Sequence, residues 1–428
     1  MLSSLLAVKA IDRRFLRYFL IFLLVMACAV GSTFLVKAWR ARSKRLALYA
    51  AAQTLFDADY YRTTYALRAL SDQAAFQHYM AKGYEDLRNP SADFDATFYE
   101  RLYLTDYTGK AQGAYQNPLL HYVRCGKGRG ALTHPKFIKK AVPLVNPKYY
   151  LCVTAIFRDE ARFLKEWIEY YLMMGVEHFY LTNHLSKDNY MEVLQPYIDR
   201  GLVTLREETE EKKSEQHRFD IQNRAYFEAM DYGVQHIEWL LIVDTDEFLV
   251  PYEKATIADF LRDYEDCAAV AFHWKNFGMN GVAKLAPHQL LIEEMTHSSK
   301  SLDTRNAGIK TAFRPRYCDM VESKKFLRLH HRPLLKKHFV TVDVLRNPLP
   351  FHKDGSPVSA HLPIPKGLAR LYHYRFRDRY FLENVKLKWQ FQAGWIKNLL
   401  QKEGSWNVEL DTTMMRFVPE MKRRMGFD

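Results

Sequence analysis

Hydrophobic and polar positions divide the chain into three stretches. The first is apolar: Tyr18–Val36 runs 19 residues without a charge, close to the ~20 that a transmembrane helix needs. It stops at Lys37, Arg40, Arg42, Lys44 and Arg45, with Trp39 among them at an interfacial position. This predicts a single-pass N-terminal membrane anchor over residues 1–45. A cleaved signal peptide ending near Ala27-Cys28-Ala29 is the competing reading, but the apolar run continues past that site.

The second stretch, 46–147, repeats itself. Phe56-Asp57-Ala58-Asp59-Tyr60-Tyr61 returns as Phe94-Asp95-Ala96-Thr97-Phe98-Tyr99. Gln77-His78-Tyr79 followed by Lys82-Gly83 returns as Leu120-His121-Tyr122 followed by Cys125-Gly126. The copies span about 56–91 and 94–135, each reading as two short helices with aromatic faces. One such unit cannot bury its apolar face alone, so stacking is expected. The His-Tyr pairs read as core and cap residues rather than ligands.

The third stretch, 148–428, alternates strand and helix patterns, which predicts an α/β layered domain. Strands are expected at Leu151–Phe157, His178–Thr182, Leu202–Arg206, Trp239–Val243 and Ala268–His273. Helices are expected at Ala161–Met174, stopped by Gly175, at Gln216–Val234, and after a Thr256 cap. Beyond Trp274 the periodicity weakens and the chain reads as loop-rich and basic.

Charge sharpens the first stretch. The chain carries a formal net charge of +13. In its first 48 residues nine Lys and Arg face the single acid Asp12, so most of the excess flanks the apolar segment. That placement fits an anionic lipid surface. No basic face marks the folded domain for nucleic acid, which is excluded as a partner. The five cysteines, Cys28, Cys125, Cys152, Cys267 and Cys318, are scattered and form no CxxC pair. A disulfide framework or zinc site is therefore not expected.

The chemistry centres on Trp239-Leu240-Leu241-Ile242-Val243-Asp244-Thr245-Asp246-Glu247-Phe248-Leu249. Ligands in open parallel sheets bind beyond the carboxyl ends of the strands, and Asp244 sits at such an end. Two carboxylates two residues apart can face one hard divalent cation, Mn²⁺ or Mg²⁺, while it holds a diphosphate. Three acids against the end of an apolar strand also need positive charge nearby. Arg158-Asp159-Glu160 ends the first strand, where a basic residue can meet a phosphate or an acidic helix start can complement the dipole.

These residues resemble family-92 and related family-2-like glycosyltransferases. The resemblance is carried by Thr154–Glu160, Leu164-Lys165-Glu166-Trp167-Ile168-Glu169-Tyr170 and Gly175-Val176-Glu177-His178-Phe179-Tyr180. It continues through Asp244–Phe248, Trp274–Gly278, Lys310–Pro315 and His373-Tyr374. It implies a Rossmann-like GT-A nucleotide-sugar-binding domain and a metal-dependent glycosyltransferase of the hexosyltransferase class. The donor would be a nucleotide sugar and the acceptor a glycan or lipid-linked glycan. By resemblance, Asp244, Asp246 and His373 hold the metal. Thr154, Arg158, Asp159, Glu160, Asp244, Lys310 and Arg314 contact the donor, and Trp274 stacks on the acceptor. Glu293, Glu294, Asp303 and Asp319 are candidate bases for an inverting reaction. The repeat region resembles one found beside bacterial surface-polysaccharide transferases, which implies a cytoplasmic catalytic domain. Two positions depart from the pattern: Asn183-His184-Leu185-Ser186 replaces Asp-Asn-x-Ser, and Arg377-Asp378 replaces Lys-Ser.

Two other functions compete. A nucleotidyltransferase would carry a glycine-rich loop after the first strand, and Phe157–Ala161 has no glycine. A non-catalytic scaffold of an envelope-polysaccharide assembly would not need the acids, which are present.

Overall fold

The computed structural model describes residues 36–104, 117–211, 213–301, 303–324, 331–350, 368–388, 398, 400, 401 and 403–427. All but the last residue of the expected anchor Tyr18–Val36 lies outside them. Among the described residues no helix is long and apolar enough to cross a membrane. The chain folds as two compact units: residues up to Ala96 with Asn117–Ala131, and Thr97–Gln116 with Leu132–Asp428.

In the first copy of the repeat, Asp57 caps the helix Ala58–Thr64 and Ser71 caps the helix Asp72–His78. The second helix widens into a π turn, Tyr79–Gly83. The second copy shows the same change: Asn117 caps Pro118–His121, which widens into Tyr122–Gly126. The His-Tyr pair marks the junction in both. Phe56 gathers Tyr61, Phe76 and Tyr79 at ring separations of 5.1–5.6 Å. Gly83 closes the turn because a Cβ there would stand 2.1 Å from the Tyr61 hydroxyl.

The second unit is mixed α/β, built on a nine-stranded sheet ordered β3-β2-β1-β4-β8-β6-β10-β5, with β9 (Thr341–Asp343) paired to β6, while β7 (His297–Ser298) lies in a separate two-stranded sheet. Its first half is parallel: β1 (Tyr149–Phe157) lies between β2 (His178–His184) and β4 (Ile237–Ile242), with β3 (Val203–Glu208) beyond β2. β1 and β4 carry the apolar runs expected of strands covered on both faces, and every residue of β4 is buried. The helix Ala161–Met173 lays Phe163, Leu164, Trp167, Ile168, Tyr170 and Tyr171 on the sheet. Gly175 ends it at φ +88°, and a Cβ there would lie 2.8 Å from the Ala258 Cβ. Thr256 caps Ile257–Arg262 through the Asp259 amide, as its sequence pattern predicts.

The second half departs from the loop-rich expectation. β8 (Ile309–Phe313) lies antiparallel between β4 and β6 (Ala269–Asn276). β10 (Ala369–His373) pairs parallel with β6 and antiparallel with β5 (Glu247–Pro251). β5, β8 and β10 are only five residues long. Each is buried along its whole length, so a period-two pattern has neither room nor a solvent face to show itself.

Candidate active site

β4 delivers the chain to its carboxyl end, where Asp244-Thr245-Asp246 turns it back into β5. The Glu247 amide donates to the Asp244 carbonyl (3.0 Å), and the Asp244 amide to Glu247 Oε2 (2.8 Å). Glu247 is fully buried and its backbone carbonyl is held from the helix side. Trp167 Nε1 (3.1 Å) and the Tyr171 hydroxyl (3.0 Å) both donate to that carbonyl. The aromatic stripe of the Ala161–Met173 helix therefore fixes the acidic turn as well as the core.

Other strands bring partners. β10 sets His373 opposite Glu247, and the Tyr374 amide donates to the Asp246 carbonyl (2.9 Å). β8 brings Lys310, fully buried, with Nζ 3.0 Å from Asp244 Oδ2 and 3.3 Å from Glu247 Oε2. β6 brings Trp274, whose Nε1 donates to Glu247 Oε1 (2.8 Å). The Trp274 ring lies 5.0 Å from that of His373. Gly308 is required beneath it, since a Cβ would meet the indole at 1.9 Å.

After β10 come Arg377, at φ +52°, and Lys386. Lys386 Nζ donates to Asp246 Oδ2 (2.7 Å). Arg377 pairs with Glu160, donates to Thr245 Oγ1 (3.2 Å), and stands 3.9 Å from Asp246 Oδ2. His373 Nε2 lies 3.4 Å from Asp246 Oδ1.

Electrostatics follow from burial and these neighbours. Burial pushes the Asp246 carboxyl up, but Lys386, His373 and Arg377 outweigh it and hold the group well below the usual carboxylate range. Glu247 goes the other way: burial, reinforced by Asp244 and Asp246 against Lys310, pushes it up to about 8. Burial raises Glu160 to about 7 against the pull of Arg377. Burial and Arg375 lower His373 to about 4, so its imidazole is neutral near pH 7.

Asp159 and Leu185 also have positive φ, +53° and +59°. They lie in two interlocked loops at the ends of β1 and β2. The Asp159 amide donates to Ser186 Oγ (2.8 Å), and the Lys187 amide to Asp159 Oδ1 (2.6 Å). Backbone held in this region is costly and clusters at functional sites. Arg158 Nε stands 3.7 Å from Asp159 Oδ2.

The structure thus gathers Asp244, Asp246, Glu247, Lys310, His373, Trp274 and Glu160. Arg158 and Asp159 stand at the end of the neighbouring strand β1. Thr154 is buried within β1, its hydroxyl donating to the Tyr180 carbonyl (3.0 Å). Arg314 is not brought to this cluster: it pairs with Glu238 (2.6 Å) at the start of β4. The candidate bases are engaged elsewhere. Glu293 pairs with Lys422 (2.7 Å), Glu294 accepts from Gln289 (2.9 Å), Asp303 pairs with Arg305, and Asp319 caps a helix through the Glu322 amide (3.1 Å). Lys386 and the cationic role of Arg377 escaped the sequence reading. Lys386 stands 140 residues from Asp246, and no local signal links them.

Residues 147–353, just under half of the chain, match the profile of Glycosyltransferase family 92. A family 92 protein of Oryza sativa subsp. japonica is 29% identical over 172 residues, covering 38% of this chain and 28% of that protein. One of Ricinus communis is 29% identical over 108 residues, covering 23% and 16%. The chain therefore spans less than a third of the length of these relatives. Among solved structures, S. aureus TarS 1–349 matches at 12% identity and a TM-score of 0.30, over 59% of this chain and 69% of that one. HddC from Yersinia pseudotuberculosis matches at 12% and 0.27, over 46% and 90%. The segment matched by the profile holds the Asp244–Asp246 turn and is similar to glycosyltransferases.

Proposed function

We propose that the chain transfers a sugar from a nucleotide-sugar donor to a glycan or lipid-linked acceptor, on a GT-A-type sheet, in surface polysaccharide synthesis. One observation carries the reading. Within a segment resembling glycosyltransferases, the acidic turn closing β4 meets Lys310, Lys386 and Arg377 at the carboxyl end of the parallel strands. A nucleoside diphosphate leaves with growing negative charge, and preorganised cations in a buried site favour its departure. Trp274, half-buried and fixed by Glu247, is the residue this proposal sets beside the acceptor sugar.

The donor set suits Mn²⁺ or Mg²⁺: carboxylates and an imidazole held neutral by burial. Asp246 and His373 would hold the ion, with Asp244 at its edge, and the ion would neutralise charge on the leaving diphosphate. Among the described residues no group of three or more His, Cys, Asp or Glu is gathered for a metal. The remaining ligands of this reading come from the donor and water. The need of the acids for positive charge is met in part by the lysines.

The apolar run Tyr18–Val36 and the exposed basic helix after it, with Trp39 68% exposed, support a membrane anchor. The reading puts the catalytic part in the cytoplasm, where sugar nucleotides are made.

The test is donor turnover. Uridine and guanosine diphosphate sugars are screened with and without Mn²⁺, in the parent and in Asp246→Ala. Turnover that needs Mn²⁺ and vanishes in the variant is expected. An Asp246→Ala chain that consumes donor at the parental rate would sink the assignment.

A further inference from the structure

Lys386 and Arg377 reach the acidic turn from the segment after β10, beyond the last residue of the family match. Four acids (Asp244, Asp246, Glu247, Glu160) face cations of two origins. Lys310 comes from the sheet and already bridges Asp244 and Glu247. Lys386 and Arg377 both address one oxygen, Asp246 Oδ2, at 2.7 and 3.9 Å.

Arg377 is 1% exposed, yet its Nε and Nη1 have no hydrogen-bond acceptor, while Nη2 serves Glu160 and Thr245. Buried guanidinium N–H groups are ordinarily satisfied, and these two are donors that a ligand would fill. Arg377 also keeps φ +52°, a conformation maintained against strain in a non-glycine residue. The next residue locks it there. Asp378 is fully buried, caps the helix Arg379–Asn384 through the Phe381 amide (2.8 Å), accepts from the Leu285 amide (2.8 Å) and pairs with Arg162 (2.6 Å). The guanidinium is thus rigidly presented, with N–H groups of Nε and Nη1 unfilled and an ammonium beside it. Guanidinium N–H donors beside an ammonium point charge are a pairing that recognises a diphosphate.

We propose that Lys386 and Arg377 form the diphosphate-binding pair of the donor site. Lys386 exchanges Asp246 Oδ2 for a phosphate oxygen, and the unfilled Nη1 of Arg377 takes a second. The exchange also frees Asp246 to face a cation. This rests on the glycosyltransferase reading, which supplies the nucleoside diphosphate.

The experiment compares binding of UDP and GDP with that of uridine and guanosine, by calorimetry on the full chain with Mn²⁺ present. The variants are Lys386→Met and Arg377→Lys, which keeps the charge and loses the fork. Lys386→Gln serves if Lys386→Met unfolds. Lys386→Met is expected to weaken the diphosphate on the order of tenfold or more, and Arg377→Lys several-fold, with nucleoside affinity unchanged. Parental affinity for the diphosphate in the Lys386 variants overturns the proposal. So does equal weakening of nucleoside and diphosphate, which marks a structural role. A parent chain that binds neither diphosphate overturns the glycosyltransferase reading itself.

Discussion

The two ends of β4 pose the same electrostatic problem and solve it differently. At its start, Glu238 is buried and faces one cation, Arg314, at 2.6 Å. The guanidinium lies 4.6 Å from the Trp239 ring centroid, and the second Glu238 oxygen accepts from the Leu144 amide (2.6 Å). At its finish, the turn after the strand places three acids among Lys310, Lys386 and Arg377, with strained backbone at Arg377 and half-exposed Asp244 at the mouth. The antiparallel register Leu240↔Phe313 and Leu241↔Ala312 explains why β8 serves both. Lys310 falls toward the acidic turn and Arg314, four residues on, toward the other end. One end is a single ion pair that holds strands together; the other carries more charge than packing requires. A buried pair is weak evidence for stability and an elaborate cluster is better evidence for function.

Breaking each end separates these roles. The largest effect is expected from Asp246→Asn, which should lower donor turnover by about a thousandfold while leaving the melting temperature close to the parent's. A melting point that collapses with activity would make the cluster structural. At the other end, Arg314→Met leaves Glu238 buried and uncompensated, and should cost about 3–5 kcal/mol in denaturant unfolding. Turnover per folded molecule should not change, and the double variant Glu238→Leu with Arg314→Met should recover most of the loss.

Glu166 offers a third comparison, a buried acid with no cation in hydrogen-bond contact. Its carboxylate accepts from the Leu291 and Ile292 amides (2.9 and 3.1 Å). Burial outweighs those bonds and pushes it up to about 7 from an ordinary 4.5. The folded state therefore holds a proton that the unfolded state releases. The contribution is fully present below pH 4.5, is lost as pH rises through 7, and amounts to roughly 3 kcal/mol. Glu166→Gln should flatten that part of the stability profile between pH 5 and 8; an unchanged slope refutes the assignment. The smallest effect is expected from Trp274→Phe, which removes the indole donor to Glu247 and should cost about 1–3 kcal/mol. The loss should appear in acceptor KM rather than donor affinity.

Much of the first sheet half was legible because long buried strands and amphipathic helices leave periodic signatures. Asp244–Asp246 stood out because an apolar strand ran directly into it. Lys310 and Arg314 read alike in the sequence as a Lys-x-x-x-Arg pair, yet only one reaches the site, since four residues along an extended strand carry a side chain about 13 Å away. The partners of Asp246 were illegible for another reason. Lys386 stands in a short helical turn whose position depends on where β10 pairs and on Asp378 locking the chain after it.

Sequence alone determined which residues must be buried, where β1, β2, β4 and their helices run, and that acids gather at a strand end. Those facts follow from local periodicity and from the cost of burying charge. Tertiary structure decided which cations answer those acids, that Glu247 is the buried centre of the turn, and that Arg377 meets it. Pairings between β5, β6, β8 and β10 set these distances, and contacts across a hundred residues leave no trace in the local pattern.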